Sequence, residues 1–486
     1  MNLILDPWIP VVMDDGSANQ VGLEKFYSKA HEIRDLSVSP PQRVSLMRLF
    51  LCITQAALDG PDDEADWEQC KEDIVPMSID YLSTRVELFE LYGKAPFLQV
   101  GGLKHKHNAT CDKLCFTLRA GNNHTLFDQA ACPEGRDHSD AWLTLNLLTY
   151  QCFSTGGTIG VTYWAGQQTS PKNPGMSKDA PCITVSALHT VLKGKSMLDT
   201  LYLNLITKEQ ISVLPNSSWG KPLWDDFPTS QTSKAVKQLT TSYLGRLVPL
   251  TRAILLEEGK KTCTLCDGLY YPPMPDSRIP TATIIEVGKD NTPRYVSTNL
   301  AQHPWRDLAA ILSSNRVDGK GGTLALEHLN AKVNGPLAFW VGGQVRDRSK
   351  YIDMAEWTFK LTDASQFTNV DIARYRLGVE KANEGEKSLC SAVYTYGGQM
   401  NVGKPRTKAF FERAKSCYWS ALSSGYHVLL EAALDPGLSL KDWYEALRNT
   451  MREAYRGACP VANARQIEAF AKGRKKLWLS HFKKGD

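Results

Sequence analysis

No stretch of this chain approaches the ~18 uninterrupted apolar residues that a membrane-spanning helix needs, so no membrane span is expected. The opening residues, MNLILDPWIPVV, lack a basic leader and meet Asp6, Pro7 and Pro10 early, unlike a secretory signal. Without such a signal, the twelve cysteines among 486 residues imply reduced thiols and a cytoplasmic setting. Catalytic signatures are also missing. There is no HExxH, no GxSxG, and no H-x-E with PCxxC, so no nucleophile and base can be paired from the sequence. Acidic groups such as PDDEAD fall at a helix start, where carboxylates suit the helix dipole. The glycine-rich stretch QCFSTGGTIGV, residues 151–161, lacks the Lys-Ser/Thr of a phosphate loop. Its Gly156-x-x-x-Gly160 spacing also differs from a dinucleotide fingerprint.

What is present describes an ordinary globular chain. Hydrophobic residues make up 42% and charged residues 22%, enough for roughly two or three domains. Net charge is only +4, but it is unevenly spread: residues 367–486 hold 20 Lys+Arg against 12 Asp+Glu. A basic C-terminal part on a mildly acidic body suits a polyanion or an acidic protein surface; a solvated helical face explains it equally well.

Periodicity divides the chain in two. LILDPWIPVVM and ANQVGL read as strands about the DDGS turn, and PPQRVSLMRLFLCITQAAL as a helix after a proline pair. DDEADWEQCKEDI and SIDYLSTRVELFELYG read as further helices, and SDAWLTLNLLTYQCF as a helix delivering the chain into the glycine turn. Residues 155–185 and 260–300 read as loops and short strands. Beyond about residue 366, four helical segments with short Gly- or Pro-bearing connections follow one another. The expected fold class is α+β: a large mixed α/β domain over 1–365, then an antiparallel four-helix bundle over 366–486.

Three kinds of side-chain chemistry remain. Cys263-Thr-Leu-Cys266 has zinc-knuckle spacing, and Cys132 with His138 could complete a Cys3His set; two free thiols in a turn is the simpler reading. Cys52, Cys390 and Cys417 lie in apolar helical patterns and read as core. Nucleic-acid features are better represented. A glycine turn lets backbone approach a groove where any Cβ would obstruct it. GGQVRDRSK, residues 342–350, reads as a hairpin presenting Arg346, Arg348 and Lys350 outward with Gln344 beside them. Lys260 and Lys261 lie in another exposed turn, EEGKKTC.

NLILDPWIPV, RVSLMRLFLCITQAALDGPDD, KAPFLQV, NNHTLFDQ and FWVGGQVRDRS, in this order, resemble the CasA family, the large subunit of the type I-E Cascade surveillance complex of CRISPR systems. The resemblance covers nearly the whole chain, although the C-terminal helices match in pattern only. It implies that the glycine loop, Ser154, Thr155, Gly156 and Gly157, reads the protospacer-adjacent motif of duplex DNA from the minor groove. That groove offers a degenerate code, so such reading is relaxed. It implies a minor-groove lysine, with Lys260 and Lys261 the candidates. It also implies a strand-splitting wedge over Gln344, Arg346, Asp347, Arg348, Ser349 and Lys350. Arg348 stands where the family carries glutamine, and arginine can stack on a base or grip phosphate. Leu126, Phe127 and Asp128 fall in the loop that touches the guide-RNA 5′ handle in the family.

On this resemblance the expected partners are guide RNA, duplex target DNA, other Cascade subunits and a separate helicase–nuclease. No cofactor and no bond-breaking step are expected, since guide pairing supplies sequence choice while the protein reads a short motif. Some family members pair a CxxC at the CTLC position with an earlier CxxC; that earlier pair is missing here. The alternatives are a nucleotide- or metal-dependent enzyme built on GGTIG and CTLC, a large subunit of a related effector complex with a different nuclease partner, and a purely structural scaffold.

Overall fold

In the computed structural model, the described residues are 1–105, 108–118, 134–154, 162–164, 167–168, 181–183, 185–214, 217–272, 279–287, 293–300, 303–313, 321–329, 335–347, 350–361, 371–435 and 437–480. Helix and sheet are mixed, and two compact units can be distinguished. One comprises 1–301, 314–329 and 334–364; the other comprises 302–313, 330–333 and 365–486. Among the described residues no helix is long and apolar enough to cross a membrane.

The first unit is organised around helix Pro40–Leu58, whose bounds coincide with the periodic stretch. Ser39 and Gln42 form a capping box at its start, and the proline pair occupies the first turn, where no N–H is needed. Asp59, in the left-handed region at φ 43°, ends it. The helix is buried on nearly every face, as a central element should be. Even an arginine is used inside: Arg48, one of two in the helix, donates through Nε to the Leu247 carbonyl at 2.6 Å and through Nη2 to that of Arg246, capping the short helix Tyr243–Leu247.

The sheets are small and antiparallel. Strand Ile9–Met13 pairs with Ala18–Val21 and Ile33–Leu36. The residues before it, Asn2–Trp8, form a turn rather than the strand start expected from LILDPWIPVVM. The Asn2 amide donates to Glu90 Oε1 at 2.8 Å, and the Trp8 indole donates to the Leu3 carbonyl at 2.8 Å. The helices expected over 62–93 are shifted: α-helical turns occupy Glu64–Gln69 and Ile74–Ser83, with a 3-10 turn at Val86–Phe89. The longest strands, Leu337–Asp347 and Lys350–Leu361, pair along their whole length, and His189–Lys193 joins the other edge.

The helical unit contains Ile372–Met400, Lys404–Gly425, His427–Leu434, Lys441–Ala458 and Ala464–Arg474. The stretch KPRTKAFFERAKSCYWSALSSGYHVLLEAAL, expected as the second of the four helical segments, is thus two helices, divided at Tyr426. The unit also takes in residues 302–313, which lie far upstream of the expected boundary. Trp305 is the reason: its ring lies 5.9 Å from both Trp419 and Trp443, and its indole N–H donates to Ser423 Oγ at 3.0 Å. Arg306 stacks over Trp419 at 3.7 Å and bonds Asn383 Oδ1 at 2.7 Å. Gly385 sits mid-helix because the Tyr418 hydroxyl occupies the space of a side chain, 2.3 Å from where a Cβ would stand. Cys417, expected in the core, is exposed on helix Lys404–Gly425, and Cys390 is intermediate.

Candidate nucleic-acid interface

Helix Asp140–Phe153 begins at Ser139, whose hydroxyl accepts from Trp142 N, and runs buried into the glycine segment. A helix end leaves carbonyls without intrahelical partners, and here no glycine cap follows. Other parts of the first unit supply donors instead. Thr251 Oγ1 donates to the Gln151 carbonyl at 2.6 Å, Ile183 N to that of Cys152 at 2.8 Å, and Cys182 Sγ to that of Ser154 at 3.3 Å. The Phe153 carbonyl accepts from Arg346 Nη2. The launch point of the glycine turn is therefore held in a collar of tertiary contacts.

This corrects two expectations. Ser154 is fully buried, with its hydroxyl 3.4 Å from Arg252 Nε, so its side chain caps and anchors rather than meeting solvent. Gln344 and Arg346 also point inward. Gln344 is 1% exposed, and its Oε1 accepts from Arg346 Nε at 2.8 Å. The backbone of Arg346 is clamped as well: its N–H donates to Ser186 Oγ at 2.8 Å, and its carbonyl accepts from that hydroxyl at 3.3 Å. Arg346 follows Gln344 by two positions, so strand alternation puts both on the same inward face; the register shift beside them places its extra residue, Ile352, on the partner strand. Burial lowers the Arg346 guanidinium to about 10, which still leaves it charged at neutral pH. Among the described residues, Gln344 Nε2 and Arg346 Nη1 have no acceptor.

Gly343 permits this packing, because a Cβ there would stand 2.5 Å from the Ala187 carbonyl. Beyond the collar the hairpin emerges: Asp347 pairs with Lys350 and both are exposed. Arg348 and Ser349, the two residues between, lie outside the described residues, as do Thr155, Gly156 and Gly157.

The same arginine reaches a third element. Its guanidinium lies 5.4 Å over the ring of Phe116, which stacks on Tyr150 at 5.6 Å and Tyr351 at 6.2 Å. Phe116 leads into residues 119–133, which contain Leu126, Phe127, Asp128 and Cys132 and lie outside the described residues. The neck of that segment is closed by Asp112, which is 1% exposed. Asp112 accepts from Arg136 Nη1 at 2.8 Å, from Arg136 N at 3.1 Å, and pairs with His138 Nε2 at 2.7 Å. Two buried carboxylate oxygens thus hold both ends of the segment together.

The lysine turn joins the same frame. Lys260 and Lys261 lie between strands Ile254–Leu256 and Thr262–Leu265, and both are exposed. Lys261 pairs with Asp137 at 2.9 Å, and its carbonyl accepts from Cys111 N at 2.8 Å, tying it to the neck. Lys260 projects from the tip beside Gly259, whose φ of 69° makes the turn. Two buried glutamines fix the hairpin relative to the helix. Gln99, from KAPFLQV, donates to the Leu91 carbonyl and accepts from Leu256 N, both at 2.7 Å. Gln151 donates to the carbonyls of Leu98 at 3.1 Å and Arg252 at 2.8 Å.

Glycine segment, hairpin, lysine turn and the 119–133 segment therefore spring from one continuous hydrogen-bonded frame. A family model described as CRISPR-associated protein Cse1 matches residues 2–454. The chain belongs to the Cse1 family. CasA/Cse1 of Thermus thermophilus is 26% identical over 513 residues, covering 98% of this chain and 96% of that protein. The crystal structure of Thermus thermophilus CasA is similar at a TM-score of 0.76, with 22% identity over 98% of each chain. A chain titled CRISPR RNA-guided surveillance complex has a TM-score of 0.76 at 16% identity, covering 98% of this chain and 99% of that one. At these identities the structural likeness speaks for the Cse1 fold alone.

Of the four residues in the zinc expectation, Cys132 lies outside the described residues, while His138, Cys263 and Cys266 lie within them. His138 is engaged by Asp112 and stacked on Trp142 at 3.5 Å. Cys263 and Cys266 are buried, and Cys263 shares a hydrogen bond with Cys111; that contact, then burial, pushes the Cys263 thiol well up. Among the described residues no three His, Cys, Asp or Glu side chains are grouped to hold a metal ion. Sequence reading missed Arg252, Gln151, Thr251, Ser186 and Phe116. For Gln151, Thr251 and Arg252 the signal was polar residues inside apolar runs, LLTYQCF and PLTRAIL, which a buried hydrogen-bonding role explains.

Proposed function

We propose that this protein is the large subunit of a type I-E CRISPR surveillance complex, acting where a guide RNA first meets duplex DNA. In this reading Gly156 and Gly157, with Thr155, bring bare backbone to the minor groove beside the target. Lys260 enters the same groove, with Lys261 held back by Asp137. The hairpin tip, Asp347 to Lys350 with Arg348 foremost, is driven against the first base step. Leu126, Phe127 and Asp128 hold the guide-RNA 5′ handle. The helical unit, acting as the family's antiparallel four-helix bundle, meets neighbouring subunits, and the assembled complex recruits a separate helicase–nuclease. No bond is broken by this chain, and no cofactor is required.

One observation carries the reading: Arg346 holds the Phe153 carbonyl from the strand that bears the hairpin. Base-step opening costs a few kcal/mol. Elements that read a motif and elements that open it must share a rigid base, or binding energy at one is lost as motion at the other. The frame around Arg346 supplies such a base.

The test is electrophoretic binding of the reconstituted complex to duplexes that differ only in the few base pairs flanking the target. The reading expects one flanking set to bind at least tenfold more tightly. Indifference to those pairs would remove the motif-reading role.

A further inference from the structure

The tail that follows helix Ala464–Arg474 displays an indole in water while fixing its backbone from three sides. Lys476 N and Leu477 N close the helix end on the carbonyls of Gly473 and Arg474, at 2.8 and 3.1 Å. The chain then lies along helix Ile372–Met400. Ser388 Oγ donates to the Lys476 carbonyl at 3.0 Å and accepts from Trp478 N at 2.7 Å. The Tyr444 hydroxyl donates to the Leu479 carbonyl at 2.8 Å. Ser480 donates through N and Oγ to the Glu384 carboxylate, at 2.8 and 2.7 Å. Leu479 is 4% exposed and plugs the tail inward; Trp478, the residue before it, is 66% exposed.

An indole buries roughly 150–250 Å² when a chain has a use for it inside. Here the backbone on either side of Trp478 is pinned, and its ring faces out. The surroundings carry one sign of charge. Arg474, Lys475 and Lys476 precede it and are all exposed, and Lys387 is exposed beside Ser388. No Asp or Glu occurs between Glu468 and Ser480. The acidic groups flanking these residues in sequence are engaged: Glu384 by Ser480 and Lys381, Glu386 by Trp419 and Lys415, and Glu468 by Lys472 at 2.7 Å.

We infer that Trp478, framed by Arg474, Lys475, Lys476 and Lys387, is a stacking platform for an unpaired base of single-stranded nucleic acid. A flat ring on a fixed stem takes any base by its π-face, and the flanking cations take the adjoining phosphates. This combination distinguishes the patch from a protein-docking surface, which would ask for apolar neighbours around the indole rather than cations. The inference extends the proposed function to the strand released on opening. It uses residues that the motif-reading proposal does not.

The test uses the full-length protein and a fluorescein-labelled oligothymidine of about 20 nucleotides, followed by anisotropy at about 50 mM salt. Trp478→Ala is expected to weaken binding about tenfold, while Trp478→Phe retains most of it, since a smaller ring still stacks. Lys475→Glu combined with Lys476→Glu is expected to weaken binding and flatten its salt dependence. The surface position of Trp478 predicts unchanged thermal melting for the alanine variant. No measurable oligothymidine binding by the wild-type chain overturns the inference. So does equal binding by the wild type and Trp478→Ala, or a Trp478→Ala defect confined to assembly with other subunits. Duplexes with varied flanking pairs are measured alongside. Lost flank preference with intact single-strand binding defeats the motif reading alone, and the converse defeats the platform alone.

Discussion

Arg346 donates its guanidinium to the carbonyl of Phe153, so the strand that carries the hairpin caps the helix that launches the glycine segment. The same side chain holds Gln344 at 2.8 Å and covers Phe116 at 5.4 Å. One half-buried cation thereby joins three segments that are distant in sequence. Its removal would leave acceptors without donors as well as an emptied space.

Replacing Arg346 with methionine keeps much of its volume and removes every donor. The first unit is expected to lose about 1–3 kcal/mol, the typical cost of leaving a buried acceptor unmet. Chemical denaturation with an unchanged slope checks this. Arg346→Lys should recover only part of the loss, because an ammonium cannot span the Phe153 carbonyl and the Gln344 amide with fork geometry.

Stability should fall in mild acid. His189 is fully buried with Nδ1 2.9 Å from Thr281 Oγ1, and burial, then Arg48, pushes its pKa down to about 3. His328, stacked on Trp67 at 4.6 Å, is lowered to about 4, again chiefly by burial. Both are neutral when folded, whereas the unfolded chain binds protons near pH 6.5. The unfolded state therefore gains protons as pH drops from about 6.5 toward 3 or 4, and stability is lost through that window. Between pH 7 and 5 each histidine should account for on the order of 2 kcal/mol. Denaturation at the two pH values should show the loss, and His328→Gln should shrink it. An identical pH slope in that variant would contradict the assignment.

In the helical unit, Gly385→Ala sets helix propensity against packing. Propensity alone favours alanine by about 1 kcal/mol in a helix interior. The new methyl, however, would meet the Tyr418 hydroxyl, which donates to the Ala382 carbonyl at 2.9 Å. Overpacking of this kind costs about 1–3 kcal/mol, so the variant should melt lower than the wild type. A second change, Tyr418→Phe, should restore part of the difference.

The two lysines of the exposed turn should behave differently. Lys261 is tied to Asp137 at 2.9 Å, while Lys260 projects at the tip. Lys260→Ala in the reconstituted complex should weaken duplex binding several-fold and lower the salt slope by about one. Lys261→Ala should have the smaller effect on binding. Salt titrations of the two variants, side by side, decide it.

Much of the architecture could be read from periodicity. Helices Pro40–Leu58 and Asp140–Phe153 fall where apolar spacing and start signals put them, because each buries enough apolar surface to make its pattern strong. Trp305 could not be placed this way. Its segment is too short to carry a period, and its partners Trp419 and Trp443 lie more than a hundred residues downstream. The inward turn of Arg346 was hidden for a related reason: alternation puts it on the face of Gln344, but which face packs against the end of helix Asp140–Phe153 is a tertiary feature. Ser154 reads as a loop residue in sequence, yet Arg252 and Cys182 fix it from other parts of the chain. The exposure of the turn positions Lys260, Asp347 and Lys350 was legible, because turns announce themselves locally.

The most direct test of the account is a double-mutant cycle between Arg346→Met and Gly157→Ala, with strand opening beside the target read by a fluorescent base analogue in the reconstituted complex. If the frame around Arg346 links motif reading to duplex opening, the double variant should be no worse than the more damaged single one. That corresponds to a coupling of about 1 kcal/mol or more. Strictly additive losses, or opening by Arg346→Met at the wild-type rate, would contradict it.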